Sequence, residues 1–476
     1  MPDDPILDAF AYLERRHGSD ALIVSPTNRA TVEQVSSLAD QVALQVRDLN
    51  LPSGSLVGLA APNGTAFAAG YFGIRRADSR VLLLDWTTPH TELKRISTAL
   101  ASAATLTAGV AWPRSAAEFT LYHNRLSSEP EDLWQEATTI RLTSGSTGSP
   151  LGIAHSAETL LADDRALRNT MDLKEEIALA AIPLSHSYGF CSLFLPAITD
   201  GWTLVVPDGG GPFAPLSAAN QGEITFLPSV PAFFDAILKM SQPPGLPSSL
   251  RLAISAGALL KASTAAKFRQ TYQQGIHVFY GASEVGGITY DREGTAAERG
   301  TVGTPVEGVH LTLIDEEGEL SESGIIRVES PAAALGYYPD SDPRLGGGRF
   351  ITSDLGRVVG TELELLGRSD DLVNIRGKKV NPREVEAVLE AREEVEQAVV
   401  IGVPAQDRSG DSLAALVVAD PKRLGGGELR EWCRGRLAPH KLPKAILVTE
   451  EMPLTPRGKV DRKQVSELLR DHIQTT

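Results

Sequence analysis

Along the first 300 residues, short runs of consecutive apolar residues alternate with longer stretches whose apolar positions recur at helical spacing. The runs SLVGLAAP (55–62), VLLLD (81–85), WTLVVP (202–207), ITFLPS (224–229) and RLAISA (251–256) have strand length and read as largely buried strands. Between them, TVEQVSSLADQVALQVRDL (31–49) and STAAKFRQTYQQ (263–274) read as amphipathic helices. Such alternation predicts α/β layering. From about residue 300 the period shortens: HLTLIDEEGEL (310–320), GIIRVES (324–330) and RVVGTELELLG (357–367) alternate apolar with polar residues, with turns at Glu-Glu-Gly. That predicts a small antiparallel β region. A charged segment then leads to a helix over PREVEAVLEAREEV (382–395), strands at QAVVIGV (397–403) and LAALVVA (413–419), a last helix at GELREWCRGRL (427–437), and an irregular tail.

The expected architecture is therefore α/β. A large N-terminal domain of layered α/β subdomains plus a small β region spans 1–367, and a small α+β C-terminal domain spans 368–476. The sequence GRSDD (367–371) is the expected hinge. The length fits this division, since a chain of 476 residues exceeds what one core usually holds.

Composition narrows the function classes. A formal charge of −15, with no long Lys/Arg run against it, speaks against a nucleic-acid partner. The two cysteines, Cys191 and Cys433, lie far apart without metal-ligand spacing, so a cytoplasmic protein without a disulfide framework is expected. The opening MPDDPILDAF has no basic segment ahead of an apolar run, and no apolar stretch reaches about 18 residues, so neither a signal peptide nor a membrane span is expected.

Candidate chemistry begins at Thr143-Ser144-Gly145-Ser146-Thr147-Gly148-Ser149-Pro150, which follows a predicted strand in TTIRL. Hydroxyls and glycines at this density can surround an anion with donors while the backbone approaches closely. The spacing and lysine of a P-loop kinase are missing, and no Gly-x-Ser-x-Gly of a serine hydrolase occurs.

In its order of residues TSGSTGSPLG (143–152) resembles the phosphate-binding loop of the adenylate-forming superfamily, which comprises acyl-CoA synthetases, peptide-synthetase adenylation domains and firefly-type luciferases. Further matches follow in the same order: PLSHSYGF (183–190), SAGA (255–258), YGASE (280–284), TSDLG (352–356), GRSDD (367–371) and PLTPRGKVDR (453–462). The resemblance implies an ATP-dependent ligase that activates a carboxylic acid as an acyl-adenylate and transfers it to a thiol, and it makes 368–476 a mobile lid domain. It also implies site residues. Thr143, Ser144, Gly145, Ser146, Thr147 and Gly148 would hold the β- and γ-phosphates. Gly257, Tyr280, Gly281 and Ser283 would hold adenine and the α-phosphate, and Glu284 would hold Mg²⁺. Asp354 and Arg368 would bind the ribose, Asp370 would be the hinge, and Lys379 would take a position often basic in relatives. Lys459 would be the catalytic lysine, and His186 would gate the acyl pocket. Taken singly, His186 reads as a structural histidine and Lys459 as a solvated one.

The acyl pocket is expected from His186, Tyr188, Phe226, Val230, Ala256, Ala258, Gly286 and Gly287, and suits an aryl or fatty acid. Amino-acid-specific relatives usually carry an aspartate in the segment where PLSHSYGF stands, and none is present. The phrase VNPREVE (380–386) is closer to acyl-CoA synthetases and tilts the acceptor towards coenzyme A, with an acyl carrier protein left open. One departure stands out. The family's loop lysine is Leu151 here, which leaves either Mg²⁺ and hydroxyls to carry the phosphates or a non-catalytic binding protein on the same fold. Loss of one exposed charge is usually a modest change, which favours catalysis.

Overall fold

The computed structural model describes residues 4–124, 134–143, 150–209, 214–315, 317–375, 378–404, 411–454 and 460–475. It divides into two compact units, one of residues 1–312 and 327–351, the other of residues 313–326 and 352–476.

Two sheets organise the first unit. Among the described residues one has nine strands, in the order Thr304–Pro305, Gly286–Tyr290, Ile276–Ala282, Leu252–Ala256, Phe226–Ser229, Ile177–Leu179, Thr203–Val205, Ala21–Val24 and Arg29–Thr31. Its middle is parallel and its edges antiparallel. The second has seven strands, running Gly336–Tyr338, Gly152–His155, Thr139–Leu142, Arg80–Leu84, Leu56–Ala60, Ala104–Ala108 and Phe119–His123, again parallel at the centre. Leu56–Ala60, Arg80–Leu84 and Leu252–Ala256 are buried at every position, which is why, Arg80 and Ser255 apart, these strands read as continuous apolar runs rather than alternating ones.

Local chemistry fixes the helices. Thr31 caps Val32–Arg47 with a reciprocal box: its hydroxyl accepts from the Gln34 N–H at 3.3 Å while the Gln34 side chain accepts from the Thr31 N–H at 2.9 Å. The Thr65–Arg76 helix is buried almost throughout, and small residues allow it. A Cβ on Gly70 would meet Leu59 Cδ1 at 2.5 Å, and one on Gly73 would meet Val42 Cγ1 at 2.5 Å. At the start of the chain, Asp4 caps Pro5–His17 and pairs with the buried Arg75 at 2.7 Å.

In the second unit, residues 354–359 pair antiparallel with Glu362–Arg368, and Val373–Ile375 with Lys378–Val380. A three-stranded sheet follows, in which Asp411–Val418 lies between Gln397–Pro404 and Ala445–Thr449. Its side chains alternate between two apolar clusters. Val400, Ala415 and Val417 join Val385, Leu389, Leu429 and Cys433 on one face. Val399, Ala414 and Leu416 join Val465 and Leu469 on the other.

The structure corrects the expected irregular tail after residue 437. Ala445–Thr449 is a strand parallel to Asp411–Val418, and Arg462–Thr475 is a helix. Its apolar residues Val465 and Leu469 stand one helical turn apart and are buried, but the charged residues around them dilute the pattern. The helix expected over 382–395 stops at Glu390, with Ala391 as its C-cap. Among the described residues no helix is long and apolar enough to cross a membrane.

Candidate active site

The strand expected in TTIRL is Thr139–Leu142, which forms a hairpin with Gly152–His155. Thr143 closes the described part of the loop between them, its N–H donating to the Leu151 carbonyl at 2.9 Å. Ser144, Gly145, Ser146, Thr147 and Gly148 lie outside the described residues, as does Lys459.

Neighbouring candidates gather at the carboxyl ends of adjacent parallel strands, where open α/β sheets characteristically receive ligands. Phe226–Ser229, Leu252–Ala256 and Ile276–Ala282 run side by side, with Ser229 opposite Ser255 and Ala256 opposite Phe279. Val230, Gly257 and Tyr280 therefore follow or end these strands together. Gly257 has a left-handed φ of +82°, and a Cβ there would come within 3.8 Å of Val230 Cγ1. Ala256 is buried and Ala258 exposed. Phe226 is fully buried and packs edge-on against Trp202, their ring centroids 5.8 Å apart.

The segment 183–190 is pinned from the seven-stranded side. Asn63 donates to the carbonyls of Ala180 and Ile182 at 2.8 Å each and accepts from the Leu184 N–H at 2.8 Å. His186 then begins the short helix Ser187–Gly189. Its Nε2 stands 3.8 Å from Asp85 Oδ2, too far for a hydrogen bond. The next residue, Ser187, donates its hydroxyl to Ser283 Oγ at 2.7 Å, so the 183–190 and 280–284 segments meet directly. The Tyr188 ring lies against Phe279, centroids 5.6 Å apart. Burial pushes the Tyr188 phenol far up, so it stays protonated. Among the described residues, His186 Nε2, the Tyr188 hydroxyl and Ser255 Oγ are buried without a hydrogen-bond partner. Each is a donor or acceptor that a ligand could satisfy.

Ser283 and Glu284 occupy a closely tethered turn. The Ser283 carbonyl accepts from Arg141 Nη2 at 2.7 Å, and the Glu284 carbonyl accepts from the Ala334 N–H at 2.8 Å. Tyr337 donates its hydroxyl to Glu284 Oε1 at 3.1 Å. Burial and the adjacent carboxylate push the Tyr337 phenol far up, so it keeps this proton. A carboxylate oriented this way is a hard oxygen ligand of the kind Mg²⁺ takes beside phosphate oxygens. The residues present thus fit the ion.

Beneath the turn lies a buried cluster. Arg141, 2% exposed, donates through Nη1 to Cys191 Sγ at 3.1 Å and through Nη2 to His155 Nε2 at 2.5 Å. Burial first, and the guanidinium second, hold His155 well below its ordinary range, so its ring is neutral; its Nε2 also lies 3.1 Å from the Ser283 carbonyl. Asp163 Oδ1 accepts from the Gly287 N–H at 2.9 Å. Burial raises the Asp163 carboxyl, while that N–H, Arg141 and the Cys191 thiol favour its charged form. Gly286 has φ +70°, and a Cβ there would sit 2.2 Å from Asp163 Oδ1. A Cβ on Gly287 would meet Leu167 Cδ2 at 2.6 Å. None of Arg141, His155, Asp163 or Tyr337 stands out in the sequence; the only hint is a charged residue inside the apolar strand TIRL.

This set of segments decides the family. Residues 10–338 match the AMP-binding enzyme family, and residues 384–459 match the AMP-binding enzyme C-terminal domain. The chain belongs to the AMP-binding enzyme family. It is 32% identical over 355 residues to feruloyl-CoA synthase of Amycolatopsis sp, covering 71% of each protein. Tyrocidine synthase 2 of Brevibacillus parabrevis is 26% identical over 476 residues, which covers 93% of this chain and 13% of that one. The anthranilate CoA ligase AuaEII, solved in complex with anthranoyl-AMP, shares the fold with a TM-score of 0.81 at 23% identity, covering 98% of this chain and 97% of that one.

The second unit carries the other candidates of this AMP-binding enzyme. Asp354 and Arg368 are cross-strand partners, their Oδ1 and Nε 3.5 Å apart. Arg368 Nη2 also lies 3.6 Å from Asp370 Oδ2, in the 3₁₀ turn Ser369–Asp371. Lys379 is exposed on Lys378–Val380, opposite Asn374.

Proposed function

We propose that the protein is an AMP-forming acid–thiol ligase that activates a small-molecule carboxylic acid with ATP and passes the acyl group to coenzyme A. The observation that carries this reading is the tethered Ser283–Glu284 turn, with the carboxylate oriented by Tyr337 and Ser283 joined to Ser187. In the first step an oxygen of the ionised acid bonds to the α-phosphorus of ATP and pyrophosphate leaves, so the protein needs no nucleophile of its own. Its work is to position the reactants and neutralise charge. Thr143 and the loop to Gly148 hold the β- and γ-phosphates, Gly257, Tyr280 and Gly281 serve the adenine, and the Ser283 hydroxyl serves the α-phosphate. Glu284 holds Mg²⁺, which offsets phosphate charge when bound. Asp354 and Arg368 serve the ribose, and Lys459 meets the carboxylate and α-phosphate oxygens. In the second step the thiolate bonds to the acyl carbon and AMP leaves. The region 368–476 acts as a lid turning at Asp370, with Lys379 serving this step. The setting is the cytoplasm, in keeping with two buried free thiols, Cys191 and Cys433.

For the acid, an aryl substrate is favoured over a fatty one. Support comes from the relative named feruloyl-CoA synthase and from the buried unpartnered polar atoms of His186, Tyr188 and Ser255, which a purely aliphatic chain would leave unsatisfied. The deciding experiment is pyrophosphate release with ATP and a panel of aryl, fatty and short-chain acids, run with coenzyme A and with a phosphopantetheinylated carrier protein in parallel. Pyrophosphate and an acyl-CoA from an aryl acid are expected. Transfer to the carrier alone would favour the second reading, which the alignment of 93% of this chain with tyrocidine synthase 2 keeps in view. Silence with every acid would favour a non-catalytic binding protein.

A further inference from the structure

Arg141 occupies a position where strand packing alone calls for an apolar residue. Thr139 and Ile140, beside it on the strand, are fully buried, and the guanidinium has gone into the interior with them. A guanidinium is costly to bury unless its donors are satisfied and its charge is met. Among the described residues no ion pair meets this one and its Nε is buried without a hydrogen-bond partner, while the guanidinium favours the charged form of Asp163, on the helix Ala157–Met171, against the raising effect of burial. The two residues grip opposite ends of one short turn. Arg141 Nη2 donates to the Ser283 carbonyl at 2.7 Å, and Asp163 Oδ1 accepts from the Gly287 N–H at 2.9 Å. The glycine between those ends, Gly286, lets the Asp163 carboxylate lie against the backbone. Glu284 is the first side chain beyond the gripped carbonyl. Arg141 also stands two residues before Thr143, where the phosphate loop begins. One side chain therefore ties the strand that launches that loop to the turn that presents Glu284.

We propose that Arg141 and Asp163 form a buried bracket that fixes the Ser283–Glu284 turn to the strand Thr139–Leu142, which leads into Thr143, making Arg141 a positioning residue for adenylation. This rests on the ligase reading above. The bracket touches no reacting atom; it fixes the carbonyl from which the Glu284 and Ser283 side chains project. Its loss shifts the turn relative to the phosphates while leaving the acyl segment pinned by Asn63. Turnover and nucleotide affinity should therefore suffer more than affinity for the acid, whose expected pocket meets the same turn at Gly286, Gly287 and the Ser187–Ser283 hydrogen bond.

The test uses the full chain and three variants: Arg141→Met, Arg141→Lys, and Arg141→Met with Asp163→Asn, which rebalances the buried charge. Acid-dependent ATP–pyrophosphate exchange gives kcat and both KM values, and thermal unfolding with and without MgATP reads nucleotide binding apart from turnover. For the double variant the expected loss in kcat is about 100-fold, since a small misplacement of positioned groups costs that much. Its KM for MgATP should rise about fivefold, with a smaller rise in the KM for the acid. Arg141→Lys, which can still reach the carbonyl, should recover about tenfold of that loss. The bracket is overturned if the folded double variant keeps kcat and the KM for MgATP within about twofold of wild type, because the guanidinium then only balances charge. Should the double variant not unfold cooperatively, Arg141→Lys decides: no change in its kcat or in its MgATP-induced thermal shift overturns the bracket equally. A wild-type protein silent with every acid would sink the ligase reading instead, while the MgATP shifts of the variants would still report on the bracket.

Discussion

The two units hold their candidate residues in opposite ways. In the first, Ser283, Glu284 and Gly287 are fixed by partners that are themselves buried or half-buried: Arg141, Tyr337 and Asp163. In the second, Asp354, Arg368 and Asp370 form open ion pairs at 3.5 and 3.6 Å, and the Arg368 side chain is 56% exposed. Pairs of that kind contribute little to stability and are exchanged at little cost. The first arrangement suits groups that must stand ready before substrate arrives. The second suits groups that change partners between two half-reactions.

That contrast can be broken most severely at Lys459. Replacing it by alanine should lower ATP–pyrophosphate exchange by about 100- to 1,000-fold, the usual loss on removing a group that stabilises developing charge. Thioester formation from a supplied acyl-adenylate should survive, and equal loss of both steps would assign the lysine a general structural role. In the first unit the corresponding blow falls on stability. Gly286→Ala combines a left-handed φ of +70° with a Cβ 2.2 Å from a carboxylate oxygen. It should cost about 2–4 kcal/mol, read as a lower urea midpoint at constant m.

A third test uses pH and reaches the interior of the first unit. Asp164 is paired with Arg168 and Thr199, yet burial raises its carboxyl from 3.8 to about 6. Below the lower value both folded and unfolded chains carry the proton. Between the two values only the folded chain keeps it, so stability falls as pH rises through this window. The penalty levels off above about pH 6, at about 3 kcal/mol. Asp164→Asn should flatten this slope in urea unfolding between pH 4 and 6.5, and an unchanged slope would place its origin in another group. The smallest effect is expected from Leu151→Lys, which restores a cation to the phosphate loop. If Lys459 supplies the charge that matters, the KM for MgATP should change by no more than about fivefold. A larger gain would show that the first unit is short of charge.

Much of this contrast is visible in the sequence, but unevenly. Strands such as Leu56–Ala60 and Leu252–Ala256 were legible because burial on both faces writes itself as a continuous apolar run. The family was legible in the hydroxyl- and glycine-rich loop, the YGASE turn and the Gly-Lys near the C-terminus, because phosphate chemistry restricts residue type and order together. The bracket was not. The meaning of Arg141 depends on a carbonyl 142 residues away, and no local period carries that. The same holds for Tyr337, whose hydroxyl finds Glu284 across 53 residues. The helix Arg462–Thr475 was missed for a milder reason: its stripe of Val465 and Leu469 is narrow, and most of its surface is charged.

The three-stranded sheet of the second unit supplies a clock. Asp411–Val418 is its central strand, hydrogen-bonded on both sides and covered by an apolar cluster on each face. Amide protons buried in this way trade with solvent only when the surrounding structure opens as a whole. In deuterated buffer its central amides, from Leu413 to Val417, should therefore exchange last in this unit, well after those of the half-exposed hairpin 354–368. Their rate would time the complete opening of the unit, leaving the faster amides near Asp370 to record whatever smaller motions accompany turnover.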